Sequence, residues 1–268
     1  MSQYLISVIL GIVEGITEFL PISSTGHLII VNRFFDFTGD FSKMFDVVIQ
    51  FGAILAVVAV YWNRLFPFGR GKTAQEQKAI FTLWFKVCVG VIPALIIGSL
   101  AGSAIKQHLF NSVTVSIALV TGGIILIIIE RRKNGSAGIS VAEVTYSTAF
   151  LIGIIQCLGM VPGTSRSAAT IIGAMLLGLS RMAAAEFSFF LAIPTMAAAS
   201  VWSVMKLGRM LTPEEVKVAA VGFAVSFIVA WIVIKVFVKF ISTHDFSTFG
   251  WYRIVLGITV LAYYLVKG

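Results

Sequence analysis

GIVEGITEFLP, residues Gly11 to Pro21, and GIIQCLGMVP, residues Gly153 to Pro162, are two versions of one phrase, aligned by a single-residue gap. Each proline opens a short polar run: Ser23, Ser24 and Thr25 in the first, Thr164, Ser165 and Arg166 in the second. Further along, Trp62 and Trp202 each follow an apolar stretch, so the offset between matching landmarks stays near ~140 residues and divides the chain almost in half. Residues 1–133 and 143–268 therefore read as two repeats inside one membrane domain, 1–268. Each repeat holds three apolar runs of spanning length and one polar-tipped apolar segment too short or too interrupted to cross. Three is odd, so the second repeat is predicted to be inverted relative to the first, with the two broken segments meeting near the midplane. Non-helical backbone at that depth is tolerated only where protein or a water-filled cavity satisfies it. The two proline-led loops are thus the candidate site.

The rest of the composition agrees with lipid as the main solvent. Of 268 residues, 58% are hydrophobic and 12% charged, with a mean hydropathy of +0.98, whereas a soluble domain carries about 25% charged residues. Six stretches are long enough to cross a hydrocarbon core of roughly 30 Å: 45–62, 80–101, 113–129, 187–205, 218–234 and 249–266. The predicted fold class is an all-α integral membrane protein. Lys86 and Arg253 interrupt two of the spans and read as side chains that snorkel to an interface. A net charge of +8 would suggest nucleic acid in a soluble protein. Here the basic residues cluster in short loops, topology explains them better, and no nucleic-acid partner is expected. The loops near Arg64, Arg70, Lys72 and Lys78 and near Arg131, Arg132 and Lys133 are predicted to face the cytoplasm. The start, Met1 to Tyr4, lacks a basic leader and reads as part of the mature fold. Cys88 and Cys157 read as packing residues, and Gly98 and Gly102 as either a helix contact or internal packing.

Glu14 and Glu18 lie four apart, on one face of a helix. Two acids near the bilayer centre would cost roughly 5 to 7 kcal/mol if they faced lipid, so they must face a polar cavity. Such a pair invites a hard cation, Mg²⁺ or Ca²⁺, bridging to substrate phosphate. Ser23, Ser24, Thr25, Gly26 and His27 then supply three hydroxyls, an imidazole and a glycine in succession. A Ser or Thr becomes a nucleophile beside a base, and His serves as base, acid or phosphoryl acceptor. In the second half, Gly163, Thr164, Ser165, Arg166 and Ser167 lead into an apolar segment, so their amides are predicted at a helix N-terminus, a natural anion site. Arg166 adds a planar fork for two phosphate oxygens, and Thr170 lies one turn further on the same face. Asp46 and Glu186, equivalent under the offset, read as structural pairs; His108 and His244 read as surface residues. Carboxylates for a metal, a hydroxyl and imidazole for transfer, and an Arg with helix amides for an anion fit phosphoryl transfer.

EGITEFLPISSTGH, from Glu14 to His27, and PGTSRS, from Pro162 to Ser167, resemble the two signatures of bacterial undecaprenyl-diphosphate phosphatases of the bacitracin-resistance type, and the likeness spans essentially the whole chain. The resemblance implies hydrolysis of undecaprenyl diphosphate to undecaprenyl phosphate and phosphate, recycling the lipid carrier of peptidoglycan synthesis. It also implies six spans with two re-entrant helical hairpins, a divalent cation, location in the bacterial cytoplasmic membrane with the site open to the outer face, and often a homodimer. Glu14, Glu18, His27 and Arg166 match the family's catalytic positions; the resemblance leaves Ser24, His27 and water open as nucleophile. Lipid phosphatases of the acid-phosphatase type need a further His and Asp after their Ser-Arg pair, and here Ser165-Arg166 is followed by Ser-Ala-Ala-Thr-Ile-Ile. The competing class is a lipid transporter or flippase, which needs anion and cation sites but no nucleophile.

Overall fold

A computed structural model describes residues 1–132, 138–207 and 211–267, without the side chains at 106, 202–204, 206–207 and 267. Lys133 and the Trp202 side chain, both used as landmarks above, lie outside the described residues. Each of the six apolar runs forms one helix: α3 (Asp40–Val60), α5 (Ala74–Leu109), α6 (Ser112–Arg132), α9 (Arg181–Leu207), α10 (Pro213–Ile241) and α11 (Ser247–Lys267). All six are long and apolar enough to cross a membrane, and the chain is a multi-pass membrane protein. The proline-led segments instead form short helices: α1 (Gln3–Thr17), α2 (Ser24–Phe34), α7 (Tyr146–Gln156) and α8 (Arg166–Leu176). At 1.5 Å per residue, 11 to 15 residues reach about 16 to 22 Å, short of the core thickness. The remaining short helix, α4 (Trp62–Leu65), closes α3.

The helix directions follow from paired contacts. Tyr4 donates to Glu214, and Ser7 to the Val218 carbonyl, so α1 and α10 run parallel from a shared end. Val47 with Ser200, and Arg64 with Glu186, make α3 and α9 antiparallel. At the opposite end of the bundle lie the start of α5, the end of α3 and the approach to α7, where Lys86 donates to the Ala142 carbonyl. The α7–α8 pair begins and finishes there, since Ile139 and Leu179 form a parallel bridge. On α1, Gly11 packs so closely that an added Cβ would lie 2.7 Å from the Gly222 carbonyl oxygen on α10. On α7, a Cβ on Gly153 would overlap the carbonyl of Gly90 on α5. The two short pairs are therefore docked on their long partners by the same device, backbone against backbone.

The core between them is aromatic. Phe19, Phe187, Phe189, Phe190, Phe237 and Phe246 are fully buried, with Phe19 edge-on to Phe189 at 5.4 Å. That anchor fixes the residues on either side of Phe19, Glu18 and Leu20, at the tip of the first pair.

Two sequence expectations are corrected here. Arg253 does not snorkel: it is 0% exposed, because backbone carbonyls inside the protein satisfy its guanidinium better than an interface could. Cys88 does not pack inside: it is exposed on α5, while Cys157 is half-buried and donates to the Gly153 carbonyl. Lys86 does reach a loop carbonyl, and His108 and His244 are exposed.

Candidate active site

Pro21 and Pro162 each stop a helix, because the ring removes a donor and restrains the preceding residue. The chain then turns through a serine with positive φ: Ser23 (φ 74) and Ser165 (φ 70). A non-glycine residue there is strained, a state that persists only where its surroundings enforce it. Both serines recover a cap in exchange. Ser23 Oγ accepts from the Gly26 N–H and Ser165 Oγ from the Ala168 N–H, opening α2 and α8 respectively. Two helix N-termini, with their unsatisfied amides, thus start at the two loop tips.

The tips enclose a cavity of about 170 Å³ lined by Glu18, Ser23, Ser24, Thr25, Gly163, Ser165 and Arg166, with Gln50 of α3 and Thr195 of α9 among the walls. Ser24 donates to Glu18 Oε2 at 2.5 Å, and Arg166 donates to Glu18 Oε1 at 3.0 Å and to the Ser188 carbonyl at 3.3 Å. Glu18 therefore joins a hydroxyl from the first loop to a guanidinium from the second, with side chains only 4% and 14% exposed for Glu18 and Arg166.

Other candidates sit behind this trio. Ser167 donates to the Leu20 carbonyl, and Thr170 bonds to the Arg166 carbonyl and the Ser188 hydroxyl; both are buried and tie α8 to the first loop and to α9. His27 does not line the cavity. Its Nδ1 meets the Ser23 carbonyl and its Nε2 the Tyr252 hydroxyl, each at 2.7 Å, with the two rings stacked. Glu14 is 0% exposed and neither of its oxygens has a hydrogen-bond partner. Asp46 accepts from Asn32, and Glu186 pairs with Arg64, so each is engaged structurally.

Arg253, absent from the sequence-derived site, joins the loops. It donates to the carbonyls of Pro21, Gly163 and Thr164 and to those of Leu119 and Ala118 on α6. In a planar trans peptide the N–H points opposite to the C=O. With the Thr164 carbonyl turned to Arg253, the Ser165 N–H is turned away from it, on a residue that lines the cavity. Space for the guanidinium exists because Gly122 has no side chain; a Cβ there would overlap it. The only sequence signal for Arg253 was a charge inside an apolar span. A second buried ion pair, Glu130 with Arg181, also went unread; Glu130 further accepts from the Phe246 N–H and braces the start of α9.

For a hard cation, the available donors are carboxylate oxygens. Among the described residues no group of three His, Cys, Asp or Glu is assembled. Two carboxylates suit an ion that keeps water and substrate oxygens in its shell, as Mg²⁺ does. The unpartnered oxygens of Glu14 fit that demand.

Fold and site together define a polytopic membrane protein with a cavity lined by hydroxyls, a carboxylate and a guanidinium between two pairs of short helices. The family model described as bacitracin resistance protein BacA matches residues 7–259, and the chain belongs to that family. Among similar proteins are undecaprenyl-diphosphatase 1 of Oenococcus oeni, 52% identical and covering 96% of this chain and 95% of its own, and the undecaprenyl-diphosphatase of Enterococcus faecalis, 49% identical over 95% and 94%. That of Pseudomonas savastanoi pv. phaseolicola is 47% identical over 96% and 92%.

Proposed function

We propose that the protein is a phosphatase that hydrolyses undecaprenyl diphosphate to undecaprenyl phosphate and inorganic phosphate, recycling the lipid carrier of peptidoglycan synthesis and so supporting bacitracin resistance. The observation that carries this reading is the Ser24–Glu18–Arg166 chain at the meeting point of two helix N-termini. The names of the relatives agree with it.

In the proposed reaction, Arg166, released in part from Glu18, and the amides opening α2 and α8 hold the terminal phosphoryl oxygens. Ser24 Oγ attacks the terminal phosphorus and its proton passes to Glu18, which already accepts it in a hydrogen bond. The bond to the bridging oxygen breaks and undecaprenyl phosphate leaves. Water then attacks the phosphoserine phosphorus, the bond to Ser24 Oγ breaks, and the proton held by Glu18 returns to Ser24 as inorganic phosphate leaves. His27, bonded to the Ser23 carbonyl and Tyr252, supports the loop rather than the proton transfer. Glu14, with Glu18, would hold a Mg²⁺ or Ca²⁺ ion, whose contribution is to neutralise the diphosphate.

The two halves are proposed to be inverted repeats with re-entrant hairpins. Supports are the matched positive-φ serines, the matched glycine contacts and the return of α7–α8 to its starting end. The end carrying Arg64, Arg70, Lys72, Lys78, Arg131 and Arg132 is proposed to face the cytoplasm, which leaves the α1–α2 pair entering from the outer face of the inner membrane.

The test is phosphate release by purified protein in detergent from a long polyprenyl diphosphate. Glu18→Gln is expected to lower the rate at least ~100-fold while the variant stays folded, and chelator is expected to stop release until Mg²⁺ or Ca²⁺ is restored. Near-normal turnover by Glu18→Gln removes Glu18 from the mechanism. No release by the parent protein with any divalent cation moves the reading to lipid transport, the class that broken midplane helices also serve.

A further inference from the structure

A cavity larger than that of the candidate site lies away from it, at the end of the bundle where α3 finishes and α5 begins. It is an open groove of about 540 Å³ whose walls carry Arg64, Lys72, Lys78 and Lys86, with Glu76 and the linker residue Ala142 completing the rim. Glu76 accepts from the Thr73 N–H and hydroxyl in the cap of α5, and Glu186 pairs with Arg64. Four cations thus face two carboxylates. Lys72 and Lys86 are held in place by neutral carbonyls, Lys72 by those of Asn63 and Phe66 and Lys86 by that of Ala142. Lys72 also feels the Glu76 carboxylate, so part of the positive charge is offset, while the ammonium of Lys86 is oriented by a neutral carbonyl.

The depth of the groove is set by α5. That helix has 36 residues, about 54 Å of length against a hydrocarbon core of roughly 30 Å, so its first turns stand in the headgroup layer. Aromatic side chains mark the same level: Trp62 stacks on Phe66, Phe66 meets Phe68 edge-on, and Phe68 meets Phe81 likewise. Trp belongs to the interfacial belt. On the same turns of α5 as the groove, Phe81 (42% exposed) and Phe85 (63%) face outward, and the exposed apolar surface continues through Ile92 and Leu95.

We propose that this groove binds the phosphate of an anionic phospholipid from the leaflet at that end, with its acyl chains along Phe85 and the apolar face of α5. A basic pocket among helices at the headgroup level is the setting in which such headgroups are held. The apolar strip decides between two sources of the same phosphate chemistry, because a free anion would leave it uncovered. The bound lipid would lie between the first repeat, which supplies Arg64, Lys72, Lys78 and Lys86, and the linker that supplies Val141 and Ala142. Nothing in this assignment depends on the hydrolytic activity.

The test uses purified full-length protein in phosphatidylcholine nanodiscs doped with phosphatidylglycerol, with bound lipid counted by native mass spectrometry. The parent protein is expected to retain phosphatidylglycerol in preference to phosphatidylcholine. Lys78→Gln combined with Lys86→Gln is expected to weaken retention about thirtyfold, the share of two lysines. Lys78→Glu alone, at an exposed position, is expected to weaken it with no change in melting temperature in pure phosphatidylcholine. Equal retention by parent and variants, or no preference between the lipids, overturns the site. Displacement of the lipid by millimolar inorganic phosphate overturns the lipid assignment and gives the groove to the free anion.

Discussion

Arg253 is wholly buried, yet among the described residues it donates to five peptide carbonyls and to no carboxylate. Hydrogen bonds to a charged group are worth more than neutral ones, and here they converge from both loops and α6. Arg253→Met keeps much of the volume and takes this donor from the loop carbonyls of Pro21, Gly163 and Thr164, which have no helix ladder to fall back on as those of α6 do. It is expected to lower phosphate release more than ~100-fold by letting the Thr164–Ser165 peptide turn, with a fall in melting temperature. Gly122→Ala is expected to reproduce the loss from the opposite side of the contact, by displacing the guanidinium. Wild-type turnover in both variants would show that the loop tips hold without it. Arg166 makes a different demand. One terminal nitrogen meets Glu18 while the other meets the Ser188 carbonyl, a division that a point-charge ammonium cannot reproduce. Arg166→Lys is therefore expected to be severely impaired, and full rate in steady-state phosphate release would reduce Arg166 to a positive charge.

At the scale of elements, the short helix pairs are held by glycines that admit backbone contact, the device that membrane helices use in place of a hydrophobic driving force. Gly153→Ala places a methyl against the Gly90 carbonyl, which cannot rotate away as a side chain could. Overpacking of this kind costs about 1 to 3 kcal/mol, so a lower melting temperature in detergent is expected. Gly102→Ala, where an added Cβ meets nothing within 4 Å, is expected to be neutral and serves as the control. These elements were largely readable beforehand. Each predicted span became one helix, since an apolar run in lipid has few alternatives to a helix, and the interrupted segments became α1–α2 and α7–α8. The helix ends were less readable. The first turns of α5 and α10 are polar capping boxes, Thr73 with Glu76 and Thr212 with Glu215, which hydropathy alone leaves outside the span.

For the whole molecule, the cavity was legible as two loops because both carried hydroxyls and charge in apolar sequence. What was not legible was how distant elements complete it. Gln50 and Thr195 line it from α3 and α9, Arg253 holds its loops from α11, and nothing local says which distant segment each of them meets. The different surroundings of Ser24 and His27 were likewise hidden: three residues along α2 separate the Glu18 carboxylate from the Tyr252 hydroxyl. The proposed inverted architecture makes a demand on this scale that no single helix does. In a background with Cys88 and Cys157 replaced by Ser, cysteines introduced as Ser140→Cys and Ser180→Cys flank the α7–α8 pair, which closes at Ile139 and Leu179. A membrane-impermeant thiol reagent applied to sealed inside-out vesicles is expected to label both, together with Lys72→Cys, and to spare Asp40→Cys until the vesicles are opened. Labelling of Ser140→Cys and Ser180→Cys from opposite faces would make α7–α8 a crossing. The number of crossings separating the halves would then change, and with it the inversion that brings the two serine-turned helix ends to one depth.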